Sequence, residues 1–122
     1  MSDINNAFFT QQIFESEIHL EVNADVLKRI YGDGIDSEAR MPIEFFFTSD
    51  LEAKLKKLGL ALLAEFPDYN ELRLKPYQNI FELIGTSNPI QMDLATINDW
   101  NQKMWNLGYR FDCKLDGWQV GT

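Results

Sequence analysis

Hydrophobic positions follow two different spacings along the chain, and the changes between them predict a series of short elements. The aromatic run 43–48 has the length of a strand and carries apolar side chains at both parities, which is typical of a central strand. Two more strand-like stretches, 69–75 and 79–86, follow later. The first of these alternates leucine with basic residues, which predicts an edge strand, and a last strand is predicted over 109–115.

Helical spacing occupies the intervals between these strands. A first helix would place four leucines on one buried face and would end at Phe66-Pro67. Ser49 and Glu52 have the spacing of a capping box at its start. A second helix is expected to begin at the N-cap Asp93 and to stop at Gly108. The two predicted buried faces are Leu51, Leu55, Leu58 and Leu62, and Ile97, Trp100, Met104 and Leu107.

The stretch 14–31 has two periodicities at once. Apolar residues recur at every fourth position, which predicts an amphipathic helix closed by Gly32. Residues 14–22 also alternate between apolar and polar, so a strand is the open alternative there. The helical series is Phe14, Ile18, Val22, Val26 and Ile30.

The order of elements from residue 43 onward is β-α-β-β-α-β. This order predicts an α+β fold of the ferredoxin-like kind, an antiparallel sheet with two helices on one face. The N-terminal helix would precede this sandwich. We therefore expect one domain over residues 1–122, with a helical extension at about 1–35 and a ferredoxin-like core at about 42–118.

Acidic residues are concentrated in the N-terminal third. The chain has 19 acidic and 11 basic residues, a net charge of -8, and residues 1–41 alone hold 8 acids and 3 bases. This charge disfavours direct binding to nucleic acid or to an anionic membrane and favours a basic protein partner. Residues 1–6 lack the basic and apolar regions of a signal peptide, and with a single cysteine we expect a cytoplasmic protein.

Few residues are suited to catalysis or metal binding. His19 and Cys113 are the only histidine and cysteine and lie far apart in sequence, so a zinc site is not expected. The acidic loop 33–38 lacks the ligand spacing of a calcium loop. No phosphate-binding or dinucleotide motif is present, and nothing would orient a dyad of these two residues. We predict a protein that is not an enzyme and that uses no metal or cofactor.

Two segments resemble the ribonuclease E inhibitor family, also called regulator of ribonuclease activity B. Residues 27–47, LKRIYGDGIDSEARMPIEFFF, are similar to that family's helix end, acidic turn and first strand. Residues 107–118, LGYRFDCKLDGW, resemble its closing helix and strand, with Asp116, Gly117 and Trp118 matching its Asp-Gly-Trp. The resemblance extends over residues 26–118 and agrees with the ferredoxin-like order of elements.

This resemblance implies a small acidic bacterial protein that binds an RNA-degrading endonuclease and lowers its activity without catalysis. Two alternatives stay open, an immunity protein that neutralises a toxin, most often a nuclease, and a small-molecule-binding regulatory domain. In each of the protein-binding readings the acids would steer a basic partner. The residues expected to contact it are Glu15, Glu17, Glu21, Asp33, Asp36, Glu38, Asp116 and Trp118.

The Asp-Gly-Trp tripeptide carries two further expectations. Gly117 is expected to take a positive φ after Asp116, which a side chain would disfavour. Trp118 is expected either to cover the end of the core or to face the partner, and we favour the core.

Overall fold

Ten elements follow one another in the computed structural model, which describes residues 6–17 and 20–120 and, of Glu17, the backbone alone. The helices are α1 (Gln11–Glu17), α2 (Val22–Gly32), α3 (Glu52–Glu65) and α4 (Leu94–Arg110). The strands are β1 (Arg40–Met41), β2 (Ile43–Ser49), β3 (Asn70–Tyr77), β4 (Ile80–Thr86), β5 (Ile90–Gln91) and β6 (Lys114–Val120).

The larger sheet has four antiparallel strands in the order β3-β4-β2-β6. With α3 and α4 as the two connections, this is the ferredoxin-like arrangement, so the predicted fold class is confirmed. β2 is an interior strand and β3 an edge strand, as their sequence patterns predicted. The small pair of β1 and β5 was not predicted.

The core lies between this sheet and the helices α3 and α4. Phe45 and Phe47 of β2 point into it and are fully buried, and the ring of Trp100 from α4 lies 6.3 Å from that of Phe45. On α3 the predicted apolar face is confirmed at three of its four leucines, whereas Leu51 precedes the helix and is 53% exposed.

The predicted capping box at the start of α3 is wrong. Ser49 is the last residue of β2, Leu51 occupies the N-cap position, and no side chain caps the helix. The Ser49 hydroxyl instead donates to the carbonyl oxygen of Asp112 at 2.7 Å. A tertiary hydrogen bond has therefore taken the group that the local pattern assigned to the helix start.

α4 begins as predicted but ends later. Asp93 is its N-cap, because its Oδ1 accepts the N–H of Thr96 at 2.8 Å, and this bond lowers the pKa of the Asp93 carboxyl. The helix continues through Gly108 to Arg110. A Cβ at Gly108 would lie 2.9 Å from the ring of Phe47 and would also meet the backbone oxygen of Cys113. Glycine is needed here for close packing and not as a helix stop.

The helical spacing of residues 14–31 corresponds to two helices and not to one. α1 ends at Glu17 and α2 begins at Val22, with residues 20 and 21 in a turn. Ile18 and His19 lie outside the described residues. The strand alternative is wrong for the described part of 14–22, which is helix and turn.

α2 also turns a different face to the core than predicted. Val22 belongs to the predicted apolar series but is 51% exposed, whereas Asn23 and Leu27 are buried. Since α2 packs against α4, its buried face is set by that neighbour.

The last strand is displaced from its predicted position. Residues 109 and 110 belong to α4, and the Asp-Gly-Trp tripeptide lies inside β6. Phe46 pairs with Gly117 and Phe47 with Leu115, so Asp116 is the extra residue of a β-bulge. The expected positive φ at Gly117 is wrong; among the described glycines Gly34 is the one with such a φ, 96°.

Candidate protein-binding surface

A cleft of about 210 Å³ lies between the start of α2, α4 and strand β6. Val22 and Asn23 of α2 line one side, and Asp116 and Trp118 of β6 line the other. Glu21 directly precedes this lining and is exposed. The fold therefore brings three of the predicted partner-binding residues to one place, although they are separated by about three-quarters of the chain.

A buried asparagine organises the floor of this cleft. Asn23 is fully buried, and its Nδ2 donates to the Oδ1 atoms of Asn98 at 2.9 Å and of Asn101 at 3.1 Å. Its own Oδ1 accepts from the indole N–H of Trp118 at 3.2 Å. A buried amide needs such partners, and this one joins α2, α4 and β6 through them.

Trp118 lies partly in the core and partly in the cleft. Its ring meets that of Trp100 edge-on, with the two centroids 6.2 Å apart. The rest of the half-buried ring lines the cleft. The two roles considered for this side chain are thus compatible, because one end of an indole can pack while the other meets a partner.

The predicted acids of the first turn region lie on or beside α1. Glu15 is exposed, and the Gln11 amide donates to it at 3.1 Å. Glu17 ends α1, and its side chain is outside the described part of the chain. Neither residue lines the cleft.

The other predicted acids lie beyond the far end of α2. Asp33 follows the helix, and Asp36 and Glu38 belong to the exposed loop behind it. The Asp36 carboxylate accepts the backbone N–H groups of Glu38 at 2.9 Å and Ala39 at 3.0 Å, which holds the loop in a turn. α2 has 11 residues and is about 16 Å long at 1.5 Å per residue. The predicted acids therefore form two patches, one at each end of α2.

Asp112 holds the N-terminal segment against the core. Its carboxylate accepts the backbone N–H groups of Ala7, Phe8 and Phe9, and the Lys54 ammonium forms an ion pair with it at 2.6 Å. Burial on its own raises the pKa of Asp112, but the Lys54 contact and the three N–H donors outweigh burial and lower the pKa. The same hydrogen bond raises the pKa of Lys54.

This anchor positions α1 through an aromatic cluster. Phe9 is fully buried, with its ring 5.3 Å from Trp105 and 5.4 Å from Tyr109. Phe14 of α1 stacks close to Tyr109 at 4.4 Å. The N-terminal segment is therefore packed on α4 and places the acids of α1 beside it.

The described residues offer little for catalysis or metal binding. Residues 6–17 and 20–120 contain no group of three or more His, Cys, Asp or Glu side chains placed to hold a metal ion. Cys113 is fully buried, and burial raises the pKa of its thiol to about 12, so the nucleophilic thiolate is not formed at neutral pH. His19 is outside the described residues. None of the described helices is long and apolar enough to cross a membrane.

Comparison with protein families decides what kind of protein this is. The family model of RraB, regulator of ribonuclease activity B, matches residues 20–120. The chain belongs to the RraB family. The RraB match includes both segments that carried the resemblance, 27–47 and 107–118, so that resemblance is confirmed. It also includes the cleft and Asp112, whereas α1 precedes it. RraB proteins are described as regulators of ribonuclease activity. A search of curated proteins gives no significant match.

Proposed function

We propose that this protein lowers the activity of a ribonuclease by binding to it and does not itself catalyse a reaction. Membership of the RraB family carries the proposal, because that family regulates ribonuclease activity. The net charge of -8 supports it. An enzyme that binds RNA needs basic surface for the phosphates, and an acidic protein is attracted to such a surface.

We assign the contact to the start of α2 and the cleft beside it. Val22 is an apolar side chain that is 51% exposed there. Glu21 precedes it, Asp25 follows three residues later on the same helical face, and Asp116 lines the same cleft. An apolar group within a polar rim is the usual composition of a protein interface.

The partner that fits this surface is a basic RNA-degrading endonuclease of the ribonuclease E kind, met in the bacterial cytoplasm. The buried, un-ionised thiol of Cys113 supports a role through contact and not through chemistry. The RraB description names neither toxin immunity nor a small-molecule ligand. Inhibition of a housekeeping ribonuclease is therefore the function that we put forward.

Purified ribonuclease E, with a single-stranded RNA substrate, tests this proposal. We expect saturable binding and a cleavage rate that falls as binding saturates. Val22→Arg places a positive charge in the proposed contact and should weaken both effects by about tenfold, which is about 1.4 kcal/mol.

The matched control is Leu94→Arg. Leu94 is 42% exposed and occupies the first position of α4, as Val22 does in α2. This control should bind and inhibit like the parent. Equal losses in the two variants would reject the assigned surface, and binding without any effect on cleavage would reject the inhibitory function.

A further inference from the structure

A leucine-lined groove runs between α3 and the edge strand β3, on a part of the molecule that the proposed ribonuclease contact does not use. Its volume is about 430 Å³. Leu60 and Leu63 of α3 form one wall and Leu72 and Leu74 of β3 the other. Leu60 is 71% exposed and Leu63 43% exposed, so the wall on α3 presents apolar surface to solvent. Large exposed apolar side chains grouped in this way mark interaction sites.

The strand beside this groove has a free backbone edge. β3 is the terminal strand of its sheet, and within the described residues β4 is its sole partner. Glu71 has a positive φ of 56° at a shift in the pairing with β4, and Pro76 lies near the other end. Between them, residues 72–75 are regular extended backbone, and the two leucines in this stretch line the groove. Such an edge can accept one more strand.

The ionisable side chains that line the groove are both basic, although the whole chain has a net charge of -8. Lys56 pairs with Glu52 at 3.0 Å, and Arg73 pairs with Glu44 at 3.7 Å. The two cations are 65% and 56% exposed, and ion pairs between exposed groups are weak. Both cations can therefore also contact a carboxylate on an incoming segment.

We propose that this groove binds an extended segment of a partner protein as a fifth strand at β3. The segment has apolar side chains at alternate positions, which rest against Leu60 and Leu63, and acidic residues at its ends, which meet Lys56 and Arg73. A second copy of the chain fits less well, because two copies joined at this edge would bring their basic rims together. The proposal concerns a surface of opposite charge to the one assigned to the ribonuclease and does not rest on that function.

A designed peptide tests the groove directly. The probe is a short capped peptide in which valine and leucine alternate with threonine between pairs of aspartates, and a control peptide has lysines in place of the aspartates. Amide chemical shifts of the isotope-labelled protein are followed during titration. We expect saturable shifts at residues 72–75 and along α3, with the lysine peptide bound about tenfold more weakly.

Variants then connect the shifts to the leucines. Leu60→Gln with Leu63→Gln should abolish binding without lowering the melting temperature, because both side chains are exposed. Leu51→Gln is the control, since Leu51 is 53% exposed next to the same helix but outside the groove. Absence of binding, equal binding of the lysine peptide, or shifts at another surface would overturn the proposal. Dimerisation of the free protein through β3 would overturn it in favour of a second copy.

Discussion

Asp112 joins parts of the chain that are up to 105 positions apart, because its carboxylate accepts the N–H groups of Ala7 to Phe9 while Lys54 pairs with it. Asp112→Asn keeps the shape of the side chain and tolerates the φ of 58° at this position. It removes the charge, so the free energy of unfolding should fall by about 2 kcal/mol. Urea denaturation measures the change, and an unaltered midpoint would show that the anchor contributes nothing to stability.

The same carboxylate predicts how stability depends on pH. The pKa of Asp112 is lowered in the folded protein, so the unfolded chain binds a proton at a higher pH than the native state does. The contribution is complete above the unfolded pKa of about 3.9 and is lost as the pH falls through the lower folded pKa. The stability difference between the parent and Asp112→Asn should therefore shrink in acid. A difference that stays constant from neutral pH into strong acid would contradict this origin.

Sequence patterns identified residues whose partners are close along the chain. Asp93 was predicted correctly as an N-cap because its acceptor bond reaches only three residues ahead. Ser49 was misassigned because its hydroxyl bonds to residue 112, which no local pattern shows. Asn23 and Asp112 were missed for the same reason. The one local signal near Asn23, that Asn98 and Asn101 lie three residues apart on one predicted helix, gains meaning only when α2 is placed against α4.

At the scale of the element, type and order were predictable and ends were not. Hydrophobic periodicity is a property of the chain itself, which is why β2, α3, β3, β4 and α4 appear where the pattern placed them. The ends depend on what each element meets. α4 continues through Gly108 because the chain packs tightly there against Phe47, and the Asp-Gly-Trp tripeptide extends β6 because it pairs with β2.

Gly59 and Gly108 both lie inside helices, yet we expect opposite responses to alanine. A Cβ at Gly59 would meet Leu72 and Leu83 at an ordinary 3.8 Å. Gly59→Ala therefore gains helix propensity and should raise the free energy of unfolding by about 0.5–1 kcal/mol. A Cβ at Gly108 would lie 2.9 Å from the ring of Phe47, so Gly108→Ala should lower the same quantity by about 1–3 kcal/mol. Thermal unfolding of both variants measures this pair of effects, and shifts of the same sign would show that the described packing is wrong at one of them.

At the scale of the whole molecule, charge is divided between the two ends of the sequence and between two surfaces. Net charge and family were accessible from the sequence, because composition and motif need no coordinates. The grouping of the acids was not. Acids that appear continuous along residues 1–41 are separated by the length of α2, and Asp116 joins the first group only through the fold.

This charge distribution predicts a salt-dependent association rate with the ribonuclease. Glu15→Lys with Glu21→Lys should slow association at low salt and flatten its dependence on ionic strength. Stability should change little, because exposed charges contribute little to it. The control reverses Glu65 and Asp68, two exposed acids at the end of α3, and changes the net charge equally. Stopped-flow measurements on both variants decide the matter, and an equal slowing would mean that total charge, and not this surface, steers the encounter.

The position of the Asp112 anchor has a consequence for how the chain acquires its structure during translation. Synthesis proceeds from the N-terminus, so residues 6–9 leave the ribosome early, whereas their anchor and β6 are made at the end. Throughout that interval the ring of Phe9 lacks part of its binding site, and β2 lacks its neighbour on one side. The nascent chain therefore exposes an aromatic segment and a bare strand edge to chaperones for almost its entire time on the ribosome. The cleft beside α2 gains its second wall only when β6 is released, so a ribosome stalled within the last ten codons would hold a chain with neither an anchored N-terminus nor a formed cleft.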